Sequence, residues 1–384
     1  MKKKKIKVAV IGTGQLAQSQ HIPNISRSAT IELAILCDLR KNILNELGNI
    51  YTEAALETDY KKVLANPEID IVVIATKEDS HVSLTLEALD AGKHVYVEKP
   101  LAENEADCQK VIDKQKTTNK LVAVGMNRRL APAYRYAHDL LWANGGPKNM
   151  FYRIADSYCL DWGKSYPPRQ RIVHEVCHIF DILRFFAQSE VKSVYCVESR
   201  ADDEQITLQF KSGTVASILS SGYVTSDMPK ERLEAIADRG SVTVDDFIEV
   251  KRFTFETGED VKTFAGHIHP LHERLHGPLF KELGADGLYA IRRSCWNKHK
   301  RYMELQEKME TDTAEFREIE AFVKHMPLRN YCMNKGWKAA IEHFAYCVAN
   351  GGKLKTATAY DGMQAARITE AAIKSRDTGK IVKM

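Results

Sequence analysis

The run Lys7-Val8-Ala9-Val10-Ile11 leads without a break into Gly12-Thr13-Gly14-Gln15-Leu16-Ala17, a G-x-G-x-x-A turn that opens a helix. A strand, a glycine turn and a helix in that order form the first crossover of a doubly wound parallel sheet. Gly12 permits the tight turn, Gly14 lets the backbone approach a pyrophosphate, and Ala17 lets helix and strand pack closely. The helix start offers N–H groups and the positive end of its dipole to phosphates. Gly12, Thr13, Gly14, Gln15 and Leu16 are therefore the predicted dinucleotide cradle.

The next hundred residues keep this rhythm. Ile6–Ile11, Ile31–Cys37, Ile69–Ala75, His94–Val97 and Leu121–Val124 are strand candidates separated by helical patterns. Ile71-Val72-Val73-Ile74 and Leu121-Val122-Ala123-Val124 are continuously apolar, as strands covered on both faces are. Residues 1–126 thus read as an α/β Rossmann domain. The second strand ends at Asp38, where a carboxylate accepts hydrogen bonds from the adenine ribose and repels a 2'-phosphate, so NAD is expected over NADP. Arg40 keeps NADP open, because its guanidinium can pair with that phosphate or stack on adenine.

After Arg129 the pattern changes. A helix over Tyr134–Trp142 and another near Val173–Phe186 precede clustered strands, Val191–Val197, Gln205–Phe210, Val215–Ser220 and Leu233–Ala237. This predicts a second α/β domain, 127–384, with an open, mostly antiparallel sheet. Residues from about 256 to 335 fit neither pattern and read as a charged helical insertion, a lid, a subunit contact or a solvated arm. Helices near Trp337–Val348 and Tyr360–Ser375 should pack back on the body.

Composition narrows the function. The chain of 384 residues has 55 Lys and Arg against 51 Asp and Glu, a formal charge of +4, so no chain-wide basic field awaits nucleic acid. No window reaches the roughly 18–20 apolar residues of a membrane span. The apolar stretch behind Lys2–Lys5 ends at Gly12, too early for a signal peptide. Eight scattered cysteines without a C-x-x-C pair fit free thiols in a cytoplasmic protein.

The fifth strand delivers Glu98-Lys99-Pro100 at its carboxyl end, the edge where parallel sheets bind ligands. This tripeptide, the glycine turn with His21-Ile22-Pro23, Ala75-Thr76 with His81, and Asn127-Arg128-Arg129 together resemble the Gfo/Idh/MocA family of oxidoreductases. The resemblance returns at Val173–Phe186, at Gly336-Trp337-Lys338 and at Glu342-His343-Phe344. It implies hydride transfer between NAD(P) and a secondary alcohol or ketone of a sugar, glycoside or cyclitol, with an open-sheet substrate domain and assembly as a homo-oligomer. It implies further that Thr76, His81, Glu98, Lys99 and Asn127 join Asp38 and Arg40 around the cofactor.

Lys99 is then the family's active-site lysine, and a cation there suits an alkoxide developing as hydride leaves. The family places a histidine on the long helix, which His178 fills, with an aspartate one turn before it. His174 stands at that aspartate position, and Asp181 matches a further acidic position. Two imidazoles can relay a proton near neutral pH, or His174 can orient the substrate. Lys77-Glu78 departs from the Pro-Asn that often follows Ala-Thr.

His174-Glu175-Val176-Cys177-His178 is also a literal H-E-x-x-H, the zinc-peptidase signature, with His267, His269, His272 and His276 as sources of a third ligand. A peptidase gives no reason for the glycine turn or for Lys99, so no metal is expected, with His174 and His178 as the alternative pair. Arg128, Tyr152, Tyr158, Trp162 and Arg169 are the expected substrate contacts. Two other activities stay open, namely a glycoside hydrolase or lyase using tightly bound NAD for transient oxidation, and a nucleotide-sensing protein without turnover.

Overall fold

A computed structural model describes residues 5–160, 162–224, 228–264, 267–268, 287, 290, 294, 297, 298, 300–324 and 331–384. The chain forms two compact units, one of Met1–Ala131, Ile172–Tyr195 and Gly336–Met384, the other of Pro132–Arg171 and Cys196–Lys335. This differs from a simple division at 126/127, because two later segments return to the first unit.

In the first unit, strands β1 (Ile6–Ile11), β2 (Ile31–Cys37), β3 (Ala55–Glu57), β4 (Ile71–Ile74), β5 (His94–Val97) and β6 (Val122–Val124) are parallel. Their order is β6-β5-β4-β1-β2-β3, and a short strand, Ala357–Thr358, adds to β6 antiparallel. Side chains alternate between two cores, as the pleat dictates. Ala9, Ile11, Val72 and Ile74 face one, with Met363, Ala365 and Ala366 of the helix Ala359–Thr378. Val8, Val10, Ile71 and Val73 face the other, with Ala340, Ile341 and Phe344 of the helix Trp337–Asn350. All four side chains of β4 are fully buried, which is why its sequence is continuously apolar.

Thr358 and Asp361 cap the helix Ala359–Thr378 reciprocally, satisfying its first N–H groups. The predicted strands Ile69–Ala75 and Leu121–Val124 are trimmed to Ile71–Ile74 and Val122–Val124. Ile69, Asp70 and Leu121 precede the strands at their amino ends, and Ala75 alone follows β4 at the carboxyl edge, where Gly12 packs against it.

The second unit carries β7 (Asn149–Ala155), the end of β8 (Val191–Arg200), β9 (Asp203–Phe210), β10 (Val215–Ser221), β11 (Glu231–Ala237), β12 (Gly240–Asp245), β13 (Glu249–Phe253) and β14 (Val261–Thr263). The order is β14-β13-β12-β11-β7-β10-β9-β8. The β10–β7 pair is parallel, while β9–β10, β7–β11, β11–β12, β12–β13 and β13–β14 are antiparallel. β9 alternates buried and outward-facing residues, the pattern of a sheet covered on one face.

Within the predicted insertion, His267–Ile268 pairs with Tyr331–Cys332 and a helix runs over Ala314–Lys324. His269, His272 and His276 lie outside the described residues. Among the described residues no helix is long and apolar enough to cross a membrane.

Candidate active site

Gly12 takes φ +88°, and a Cβ there would lie 2.6 Å from the carbonyl oxygen of Ala75 and 2.8 Å from the nitrogen of Thr76. Only glycine lets this turn press against the end of β4. Around a Cβ placed on Gly14 nothing lies within 4 Å, so the turn leaves open space for the backbone approach a pyrophosphate needs. The helix behind it spans Gln15 and Leu16 and continues through a π turn, Ala17–His21.

Asp38, just beyond β2, closes the cradle. Its Oδ2 accepts from the Thr13 backbone N–H (2.8 Å) and Oγ1 (2.9 Å), and the Arg40 guanidinium spans both oxygens at 2.9 Å. Burial pushes this carboxyl up, yet the Arg40 and Thr13 bonds outweigh it and hold it well below the ordinary range. A charged acceptor at this strand end fits the ribose of a dinucleotide. Gly12, Gly14, Thr13 and Asp38 would hold the cofactor.

At the end of β5, Glu98 Oε1 lies 2.8 Å from His21 Nε2, and Glu98 Oε2 accepts from the Lys99 backbone N–H at 3.2 Å. Both side chains are sealed. Burial alone would raise the Glu98 pKa, but His21 and the Lys99 charge keep it below normal. His81 ties the neighbouring loops, its Nδ1 2.7 Å from Pro100 O and its Nε2 3.3 Å from Thr76 O. Asn127 and Arg128 are buried in the turn Asn127–Leu130, against which Gly336 packs; a Cβ on Gly336 would sit 2.5 Å from Asn127 O.

Lys99 Nζ donates to the backbone carbonyl of His174 at 2.5 Å and lies 3.7 Å from Glu175 Oε1. His174 and Glu175 occupy a second π turn, Ile172–Val176, which leads into the helix Cys177–Ala187 carrying His178. Single π turns are often found at functional sites. His174 Nε2 is 3.1 Å from Glu78 Oε1. Burial holds the His174 pKa below normal, against the raising effect of Glu78. His178 is 6% exposed. Burial pushes the neighbouring Cys177 thiol to about 11, so that sulfur is no nucleophile.

Lys99 and His174 meet through the His174 backbone carbonyl. Glu78 and Glu175 went unrecognised as its neighbours. The departure at Lys77-Glu78 carried the only signal for Glu78, and Glu175 was visible solely as the glutamate of H-E-x-x-H. In the fold Glu175 faces the ammonium. Asp181 is committed elsewhere: Arg129 grips it at 2.8 and 2.6 Å and also bonds Asp361, which Arg184 shares at 3.1 Å. Burial pushes Asp181 up, opposed by Arg129, and this network is a fixed internal scaffold.

Of the expected substrate residues of the second unit, Tyr152, Tyr158 and Arg169 are engaged within it. Tyr152, fully buried, donates to Glu231 at 2.6 Å and meets the Tyr134 hydroxyl at 2.5 Å. Tyr158 is buried and stacks on Tyr166. The Arg169 guanidinium pairs with Glu198 at 2.5 Å, and Trp162 begins the short turn Trp162–Ser165.

A parallel sheet with a glycine-turn cradle, an acidic ribose partner and a lysine at the strand edge defines a dinucleotide-binding domain of Rossmann type. Residues 6–126 match the model of the Gfo/Idh/MocA group, described as an oxidoreductase family with an NAD-binding Rossmann fold, and this segment is that family's NAD-binding domain. Inositol 2-dehydrogenase of Salmonella paratyphi B is 26% identical over 194 residues, 49% of this chain and 56% of that relative, so the chain spans little more than half the relative's length. The scyllo-inositol 2-dehydrogenase (NAD(+)) of Bacillus subtilis is 27% identical over 259 residues, 62% of this chain and 73% of that one. The fold is shared with an Agrobacterium radiobacter oxidoreductase solved with NAD+, L-tartaric acid and magnesium, at TM-score 0.76, 17% identity and coverage of 99% and 98%. These relatives do not favour the hydrolase or lyase alternative.

Proposed function

We propose that this chain is an NAD-dependent oxidoreductase that moves a hydride between nicotinamide and a secondary alcohol or ketone of a sugar, glycoside or cyclitol. The observation that carries the reading is Lys99. Its amine, anchored by the His174 carbonyl and Glu175, stands at the carboxyl end of β5 in the same unit as the glycine cradle. Such an ammonium hydrogen-bonds the substrate oxygen and stabilises it as it becomes an alkoxide. His178 and His174 are the imidazoles that take and return the hydroxyl proton, directly or in relay. Asp38 accepts from the ribose and disfavours a 2'-phosphate, which supports NAD over NADP. Arg128 and, in the second unit, Tyr152, Tyr158, Trp162 and Arg169 are assigned to substrate recognition, with the second-unit sheet as the substrate and assembly domain. Exposed Phe151 and Ile236 on that sheet support a homo-oligomer, and the thiols of Cys37, Cys108, Cys159, Cys177 and Cys347, none of them in a disulfide, support the cytoplasm.

The test is a spectrophotometric screen of inositols, sugars and glycosides with NAD and NADP. Stoichiometric NADH with at least one polyol is expected. Release of an aglycone without net NADH would replace the reading by oxidation-assisted elimination, and binding of NAD with no turnover of any kind would overturn it.

A further inference from the structure

We infer that Glu78 is a positioning residue for proton exchange, acting through His174: its carboxylate, 3.1 Å from Nε2, fixes the imidazole as the Nε2–H tautomer and makes Nδ1 the nitrogen that takes the proton. The inference deepens the oxidoreductase reading and rests on it. An ionised carboxylate only accepts hydrogen bonds, so the nitrogen facing it carries the hydrogen and the lone pair resides on the other. The His174 side chain is 7% exposed and that of Glu78 21%, so the pair is largely withdrawn from water yet keeps an opening.

The loop that presents Glu78 is braced. It begins a single 3₁₀ turn, Glu78–Ser80, in which Ser80 Oγ donates to Lys77 O and meets Thr76 Oγ1, both at 2.7 Å. Three charged groups act on His174: Glu78 from the loop after β4, Lys99 from the end of β5, and Glu175 from its own turn. Glu78 and Glu175 favour the imidazolium, while Lys99 opposes it. His174 also anchors the Lys99 amine through its carbonyl, so one residue holds the cation and presents the imidazole.

In the oxidative direction the substrate O–H bond breaks and an Nδ1–H bond forms. The electron pair stays on oxygen, and the imidazolium keeps its Nε2–H bond to Glu78, which itself gains no proton. In the reductive direction Nδ1 returns the proton to oxygen.

The experiment titrates ring-labelled histidines by NMR in the full-length chain, wild type, Glu78→Gln and Glu78→Asp, with the His174 signal assigned by its loss in His174→Asn. Loss of the carboxylate should mix the tautomers and lower the His174 midpoint by about one pH unit. Glu78→Asp should restore much of the wild-type behaviour. In turnover, Glu78→Gln should lower kcat by about tenfold or more and move the acid limb of its pH profile downward. A wild-type tautomer and midpoint in Glu78→Gln overturn the inference, and so does a wild-type kcat and pH profile. If the wild type itself oxidises no polyol, the oxidoreductase reading fails, while the titration still decides the pair.

Discussion

Two histidines lie in π turns of the first unit, and each meets a glutamate delivered by a strand end. His21 with Glu98 is sealed, at 2% and 6% side-chain exposure, and Gly125 leaves the space the carboxylate fills, since a Cβ there would lie 2.7 Å from Glu98 Oε1. His174 with Glu78 is more open, at 7% and 21%. The same chemical pair thus does two jobs. A sealed pair holds its neighbourhood because neither partner can be lost without leaving a charge or donor stranded. A partly open pair can trade protons. Lys99 joins them, its backbone N–H on Glu98 and its amine on the His174 carbonyl.

The largest effect should come from breaking that junction. Lys99→Met is expected to lower kcat by about a thousandfold while leaving the melting temperature nearly unchanged, read by NADH formation and calorimetry. Breaking the sealed pair should do the reverse kind of damage. His21→Leu leaves Glu98 buried without its partner and should cost about 3 kcal/mol of stability, whereas Glu78→Gln should cost under about 1 kcal/mol, both measured by denaturant unfolding. Equal losses at the two sites would erase the distinction.

Asp38 lies apart from both pairs, so its removal should change cofactor choice without touching proton exchange. Asp38→Ala should weaken NAD binding by about tenfold and NADP binding much less, read by fluorescence titration, because the carboxylate bonds the ribose and repels the 2'-phosphate. Acid sensitivity should likewise arise elsewhere. Burial, aided by Lys120, lowers His94 from 6.5 to about 4, and its Nδ1 accepts from the Leu121 N–H at 3.0 Å. The unfolded chain therefore takes up this proton first. Stability is whole above about pH 6.5 and drains away as pH falls toward 4. Melting curves across that window should show the decline, and His94→Gln should flatten it.

The sheet was largely legible in the sequence. β1, β2 and β5 have the predicted bounds, Ile6–Ile11, Ile31–Cys37 and His94–Val97, because each carries a buried apolar run that stops at Gly12, Asp38 or Glu98. β3 escaped: Ala55–Glu57 is a three-residue edge strand whose Leu56 is exposed, so no apolar run marks it. Lys99 was found because a motif surrounds it. Its neighbours were hidden for a different reason. Glu78 reaches His174 from far along the chain, and no local pattern encodes which carboxylate a folded imidazole will meet. The π turn adds to this, since its extra residue shifts side-chain direction without a compositional mark. Tyr152 shows the same limit, as its hydroxyl, legible as a donor, bonds Glu231 inside its own unit, a partner far along the chain that no local pattern names.

Residues 336–384 furnish the helices over both faces of the first sheet and its antiparallel edge strand. On the ribosome, therefore, the cofactor half begins first and is completed after the half that interrupts it. A fragment cut at residue 131 would carry the whole glycine cradle yet leave Val124 and Leu101 without the helix that shields them, and should precipitate rather than bind nucleotide.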